Sequence, residues 1–144
     1  MPKQEKCVCI QLRRSARAVT SFYDGMLAPA GVTVNQYSLL GNLRKLGVGS
    51  VSALAQRMKL ERSTLVRNLK PLISAGLVGD AAKPGTRDRA LSLTEAGEGV
   101  YSHAKKLWKK AQDTMEQTLG AKNLRSTMKT LAKLEAMGGN QNDV

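Results

Sequence analysis

The sequence predicts a mainly α-helical chain with one small β-hairpin, and three observations predict it. Apolar residues recur every three or four positions through most of the chain. Breaks rich in glycine or proline, such as Pro29-Ala30-Gly31 and Gly47-Val48-Gly49, separate these periodic stretches. A single segment, from Gly76 to Leu93, leaves the helical period for short apolar runs around a polar turn.

The first helix is expected from about Glu5 to Pro29. Val8, Leu12, Ala16, Val19, Tyr23 and Met26 or Leu27 form its apolar stripe, while Gln11, Arg13, Arg14, Arg17 and Asp24 lie elsewhere around the cylinder. A second helix runs from about Thr33, which can cap it, to Leu46, with Tyr37, Leu40, Leu43 and Leu46 or its neighbours inward.

The next two helices form the centre of the chain. Ser50 caps Val51–Lys59, whose inner face is Leu54, Ala55 and Met58. After a turn at Leu60, a helix from about Arg62 to Ala75 turns Leu65, Leu69, Leu72 and Ile73 inward. Its outward residues are Arg62, Ser63, Thr64, Arg67, Asn68 and Lys70, with no acid after Glu61. Pro71 deletes one backbone hydrogen bond and is expected to kink its C-terminal half. Gly76 ends that helix, Leu77-Val78 starts a strand, Lys83-Pro84-Gly85-Thr86-Arg87-Asp88-Arg89 makes a cationic turn, and Leu91-Ser92-Leu93 returns. Helix, turn, helix and basic hairpin together make a winged helix, in which the second helix enters the major groove of DNA and the wing flanks it.

Two helices close the chain. Thr94 caps the first, with Val100, Ala104, Leu107, Trp108, Ala111, Met115 and Leu119 as its apolar set, and Gly120 stops it. The second, about Lys122 to Ala136, shows Leu124, Met128, Leu131 and Leu134 before a polar tail. A motif of this size cannot cover all these apolar stripes. Pairing the first helix and the last two with their counterparts in a second chain would cover them, and a bundle within one chain is the alternative. The organisation expected is therefore a dimerisation helix over 1–32, a DNA-binding domain over 33–97, and dimerisation helices with a tail over 98–144.

Composition bears on partners. The net charge of +12 suits a polyanion. Between Arg57 and Arg89 stand eight basic and three acidic residues, yet Lys105 to Lys133 holds seven lysines and one arginine, so charge alone does not locate the DNA face. The helix and wing pattern does. With one histidine, no glycine-rich phosphate loop, no paired-carboxylate motif and no nucleophile elbow, the chain does not read as an enzyme and no cofactor is implied. Cys7, Cys9 and distant His103 make a poor metal set. No apolar run reaches the ~20 residues of a membrane span, and the N-terminus has no signal core. A cytoplasmic, nucleoid-associated protein with reduced thiols is expected.

Ser50-Val-Ser-Ala-Leu-Ala-Gln-Arg-Met, Leu60-Glu-Arg-Ser-Thr-Leu-Val-Arg-Asn-Leu, Gly76-Leu-Val and Leu93-Thr-Glu-Ala-Gly97 resemble the MarR family of bacterial transcription regulators. The likeness extends along the flanking helices. It implies a homodimeric repressor on a palindromic operator of double-stranded DNA. Arg87, seven residues before Thr94, fits the place of the family's wing arginine, but Gly85 stands where the preceding aspartate would be. Asp88 and Arg89 can orient each other instead, which leaves open which arginine reaches the groove.

The DNA-contact set is thus Arg62, Ser63, Thr64, Arg67, Asn68, Lys70, Arg87 and Arg89. Arg67 or Arg62 can pair bidentately with guanine and Asn68 with adenine, while Ser63 and Thr64 suit phosphate or a base edge. A nonspecific or architectural DNA-binding protein would show the same cations. The ratio of specific to nonspecific affinity separates the two.

Two inputs are open. The family's organic hydroperoxide sensors place a reactive cysteine near the start of the first helix, fourteen residues before a tyrosine, and Cys9 and Tyr23 keep that spacing. Arg13 and Val34 stand where those sensors have two further tyrosines. Thiols beside cations or at helix N-termini are the reactive ones, so Cys9, Cys7 and Tyr23 are the redox candidates. Cysteines on an amphipathic helix also serve as small packing residues. The family otherwise suggests a phenolic or lipophilic small-molecule effector between the dimer helices and the DNA-binding lobe, where Arg13, Arg17, Tyr23, Tyr37 and Trp108 are the lining candidates.

Overall fold

In a computed structural model, residues 6–83, 85 and 88–139 are described. The elements are α1 (Val8–Leu27), one 3-10 turn (Ala28–Ala30), α2 (Val34–Leu46), α3 (Val51–Met58), α4 (Arg62–Ser74), β1 (Val78–Asp80), β2 (Leu91–Leu93), α5 (Glu95–Leu119) and α6 (Ala121–Gly139). The chain divides into two compact units, Met1–Trp108 and Lys109–Val144. None of the described helices is long and apolar enough to cross a membrane.

Caps fix the helix starts. Thr33 and Gln36 form a reciprocal capping box: the Thr33 hydroxyl accepts from Gln36 N–H at 3.1 Å, and the Gln36 side chain accepts from Thr33 N–H at 2.9 Å. Ser50 Oγ accepts from Ala53 N–H at 3.0 Å. The α4 helix continues through Pro71, and Ala75 N–H still reaches the Pro71 carbonyl at 2.9 Å, so the helix is not broken there. The last helix extends to Gly139, three residues beyond the expected end.

In the first unit, the core comes from Leu39, Leu40 and Leu43 of α2, Val51, Leu54 and Ala55 of α3, and Leu65, Leu69 and Leu72 of α4. Val78 and Leu91 add the inner face of the hairpin, and Leu27 and Ala104 close it from α1 and α5. The antiparallel register is Val78↔Leu93, Gly79↔Ser92 and Asp80↔Leu91. Gly49 and Leu91 exchange two backbone bonds of 2.9 Å, which ties the wing to the link between α2 and α3.

The aromatic contacts join α2 to α5. Tyr37 stacks on Tyr101 with centroids 5.3 Å apart and lies 5.8 Å from Trp108. Arg44 sits over Tyr101 and pairs with Glu98 at 2.9 Å. Burial pushes the Tyr37 phenol well up, helped by the charge and hydroxyl of Tyr101. A raised phenol favours the protonated native state, so this contribution is full below about pH 10 and lost as pH rises above it. Urea midpoints between about pH 8 and 11 should fall more steeply for the wild type than for Tyr37→Phe.

The junction of hairpin and α5 needs its glycine. Thr94 Oγ1 accepts from Gly97 N–H at 3.0 Å and donates to the Gly76 carbonyl at 2.6 Å, and Thr94 N–H donates to the Leu77 carbonyl at 3.1 Å. A Cβ on Gly97 would collide with that Leu77 carbonyl, whereas one on Gly99 meets nothing within 4 Å. Gly97→Ala is expected to destabilise by about 1–3 kcal/mol. Gly99→Ala, in the same helix, is expected to stabilise by up to ~1 kcal/mol. Urea titration of the two variants checks the opposite signs.

The α1 stripe is not core within one chain. Val8 is 65% and Val19 38% exposed, and of α1 only Leu27 is buried. In α6, Met128, Leu131 and Met137 are likewise exposed.

Candidate nucleic-acid interface

The interface is built on how α3 turns into α4. Lys59 adopts a left-handed conformation, φ 53°, and Leu60 N–H reaches back to the Ala55 carbonyl at 3.0 Å. That reversal seats α4 across α3. Burial of Leu65, Leu69 and Leu72 then fixes which side of α4 remains outside.

On that outer side Arg62, Ser63, Arg67 and Lys70 are exposed, while Thr64 and Asn68 are partly buried. The N-cap of α4 is Glu61, which makes no side-chain capping bond. Arg62 is held by α3: its Nη1 donates to Ser52 Oγ at 2.8 Å. Val66, which is not among the sequence-predicted contact residues, is 41% exposed between Ser63 and Arg67. An apolar side chain there has the chemistry to meet a thymine methyl. Its signal was present as a valine off the buried stripe, masked by the polar residues around it.

The wing brings a further cation to this face. Lys70 and Arg89 flank a cleft of about 360 Å³ whose other lining residues are Val66, Ile73 and Ser74. Asp88 and Arg89 could orient each other by sequence proximity; the structure places Arg89 Nε 3.8 Å from Asp80 Oδ2, because the register carries the start of β2 back beside the end of β1. Arg87 lies outside the described residues. Exposed guanidinium and ammonium groups on one helix, with an arginine from the hairpin beside them, can bind phosphates and base edges together.

The candidates for signal input fall in separate places. Cys7 is the N-cap of α1 and Cys9 lies in its first turn, and both are free and exposed. Tyr23 is on the same unbroken helix, so at ~1.5 Å per residue it stands about 21 Å from Cys9 and cannot meet it within one chain. Tyr23 packs edge-on against Phe22, at 5.6 Å between centroids, beside the core, and burial raises its phenol. Tyr37 and Trp108 face each other in the aromatic stack. Arg13 is exposed, and Arg17 lines an open groove of about 400 Å³ with Ala16, Thr20, Ser21 and Asp24.

Comparison with known proteins agrees with this geometry. Residues 32–97 match the family profile of the winged helix DNA-binding domain. The transcriptional regulator MosR of M. tuberculosis, solved in complex with DNA, is 31% identical, with a TM-score of 0.83 over 94% of this chain and 99% of that one. The transcriptional repressor CouR, bound to a 23-mer DNA duplex, is 25% identical, with a TM-score of 0.79 over 90% of this chain and 92% of that one. A mutant of MarR from E. coli complexed with operator DNA shares the fold at 19% identity, with a TM-score of 0.78 over 88% of this chain and 92% of that one. With its helix-turn-helix, its wing and this similarity along nearly its whole length, the chain belongs to the MarR family of winged-helix, DNA-binding transcription regulators.

Proposed function

We propose that the protein is a homodimeric repressor, working in the cytoplasm on the nucleoid, that reads a palindromic operator with α4 and grips the flanking backbone with its wing. The observation that carries this reading is the outer face of α4: Arg62, Ser63, Arg67 and Lys70 exposed over a helix whose other face is fully buried. Arg67 and Asn68 are the base readers, Arg62, Ser63, Thr64 and Lys70 supply phosphate or base-edge contacts, and Arg87 and Arg89 act from the wing. Dimerisation is supported by the exposed apolar side chains Val8, Ile10 and Val19 on α1 and Met128, Leu131 and Met137 on α6. Two copies would set their α4 helices one DNA turn apart, ~34 Å.

Spacing tests the dimer. Inserting about five base pairs between the half-sites turns one half-site to the opposite face, and inserting about ten doubles the ~34 Å separation, so either should cut affinity to that of a single half-site. Binding indifferent to the insert would contradict a fixed dimer.

Among inputs, the two exposed thiols at the start of α1 favour oxidation. A hydroperoxide would oxidise the Cys9 thiol to a sulfenic acid and leave as the alcohol; a second thiol would then displace water and form a disulfide. Hydroperoxide should release wild-type protein from DNA and leave Cys9→Ser bound. Retention of the wild type would direct attention to a phenolic or lipophilic effector near Arg13, Arg17, Tyr23, Tyr37 and Trp108, acting through its differential affinity for two lobe spacings.

A further inference from the structure

An acid on a DNA-facing surface repels phosphate, so each one in the wing calls for a reason. Asp80 is the last residue of β1 and the first acid of the hairpin. Its Oδ1 accepts two backbone bonds of 3.0 Å, from Ala82 N–H on its own side of the loop and from Ala90 N–H on the other. Its Oδ2 faces Arg89 at 3.8 Å. The Ala81 N–H bond to the Ala90 carbonyl, 2.9 Å, lies just inside this crossing point. One carboxylate therefore staples the two ends of the loop over residues 81–90 beyond the last strand pair.

We infer that Asp80 is the positioning residue of the wing: by holding Ala82 and Ala90 it closes the base of the loop and fixes Arg89 beside Lys70 of α4, so that this acid strengthens DNA binding. The inference rests on the reading that the wing meets DNA. The two amide bonds carry it, since an ion pair of 3.8 Å with Arg89, whose side chain is 47% exposed, contributes little. A loop already closed loses less freedom when its cations engage phosphate, and a preordered surface binds more tightly for that reason. Simple electrostatics predicts the opposite: removing the carboxylate from this surface should tighten binding.

The opposed signs make the test. The probe is the duplex that wild-type protein selects from a randomised pool. Asp80→Asn removes the charge but keeps an acceptor oxygen, and should bind at least as tightly as the wild type. Asp80→Ala removes both, and should bind more weakly than the wild type and about fivefold more weakly than Asp80→Asn, with a salt slope shallower by about one phosphate contact. Amide exchange at Ala82 and Ala90 should be slow in the wild type and Asp80→Asn and fast in Asp80→Ala, with unchanged global unfolding. Equal binding and equal slopes for the two variants, or protected amides in Asp80→Ala, would overturn the role given to Asp80. Arg89→Gln separates the premise: it should weaken binding, and if it binds as the wild type does, the wing's contact with DNA fails instead, and the positioning role fails with it.

Discussion

Leu69→Ala is expected to lower the unfolding free energy by about 2–5 kcal/mol, the largest single-residue effect on stability anticipated here. Leu69 is 1% exposed, at the centre of the buried stripe of α4 with Leu65 before it and Leu72 after it. Truncation removes apolar area from the core and leaves a cavity that the surrounding close-packed side chains fill only in part. A domain of this size has a total stability of about 5–15 kcal/mol, so the variant approaches the limit of folding. Urea unfolding followed by circular dichroism measures the loss, and a change below about 0.5 kcal/mol would mean that α4 is not held on this face. Because the same burial orients the outer side of α4, DNA binding should fall as α4 loosens.

Arg67→Ala should leave stability nearly unchanged and weaken operator binding by about 1–3 kcal/mol, or about 5–150-fold. Its side chain is exposed and points away from the core, so the folded chain loses little without it. Binding to nonspecific duplex should fall far less, because a bidentate contact to a base is made only at the correct sequence. Competition titrations with operator and unrelated DNA give both numbers. Equal losses on the two DNAs would show Arg67 contacting only backbone, and would move sequence reading to its neighbours, Val66 and Asn68 among them.

Local features were legible before the structure, and long-range ones were not. Thr33, Ser50 and Thr94 could be assigned as caps because a cap bond spans about three residues. The buried stripe of α4 was equally plain, since periodicity survives any tertiary arrangement. Periodicity does not say what covers a stripe: that of α1 reads like core and is largely exposed in one chain. Asp80 and Arg89 were hidden for another reason. Sequence proximity suggested Asp88 as the partner, whereas the register of β1 and β2 selects a residue nine positions away. The hold of Ser52 on Arg62, and the stacking of Tyr101 on Tyr37, likewise depend on how two helices pack, which neither local sequence encodes. Gly97 was visible only as part of a motif, and its reason, the close approach of the Leu77 carbonyl, depends on how the hairpin meets α5.

A regulator of this kind binds specific sequence through the outer face of α4. The most direct measurement of that binding is a titration of the protein against duplex from its own upstream region, with a shuffled duplex of equal composition as competitor, at about 50 and about 200 mM salt. A preference of at least about 1,000-fold for the palindromic site is expected, persisting at the higher salt while both affinities fall. Equal affinity for the shuffled duplex at both salts would contradict it at that site, leaving an architectural protein that binds DNA by charge alone.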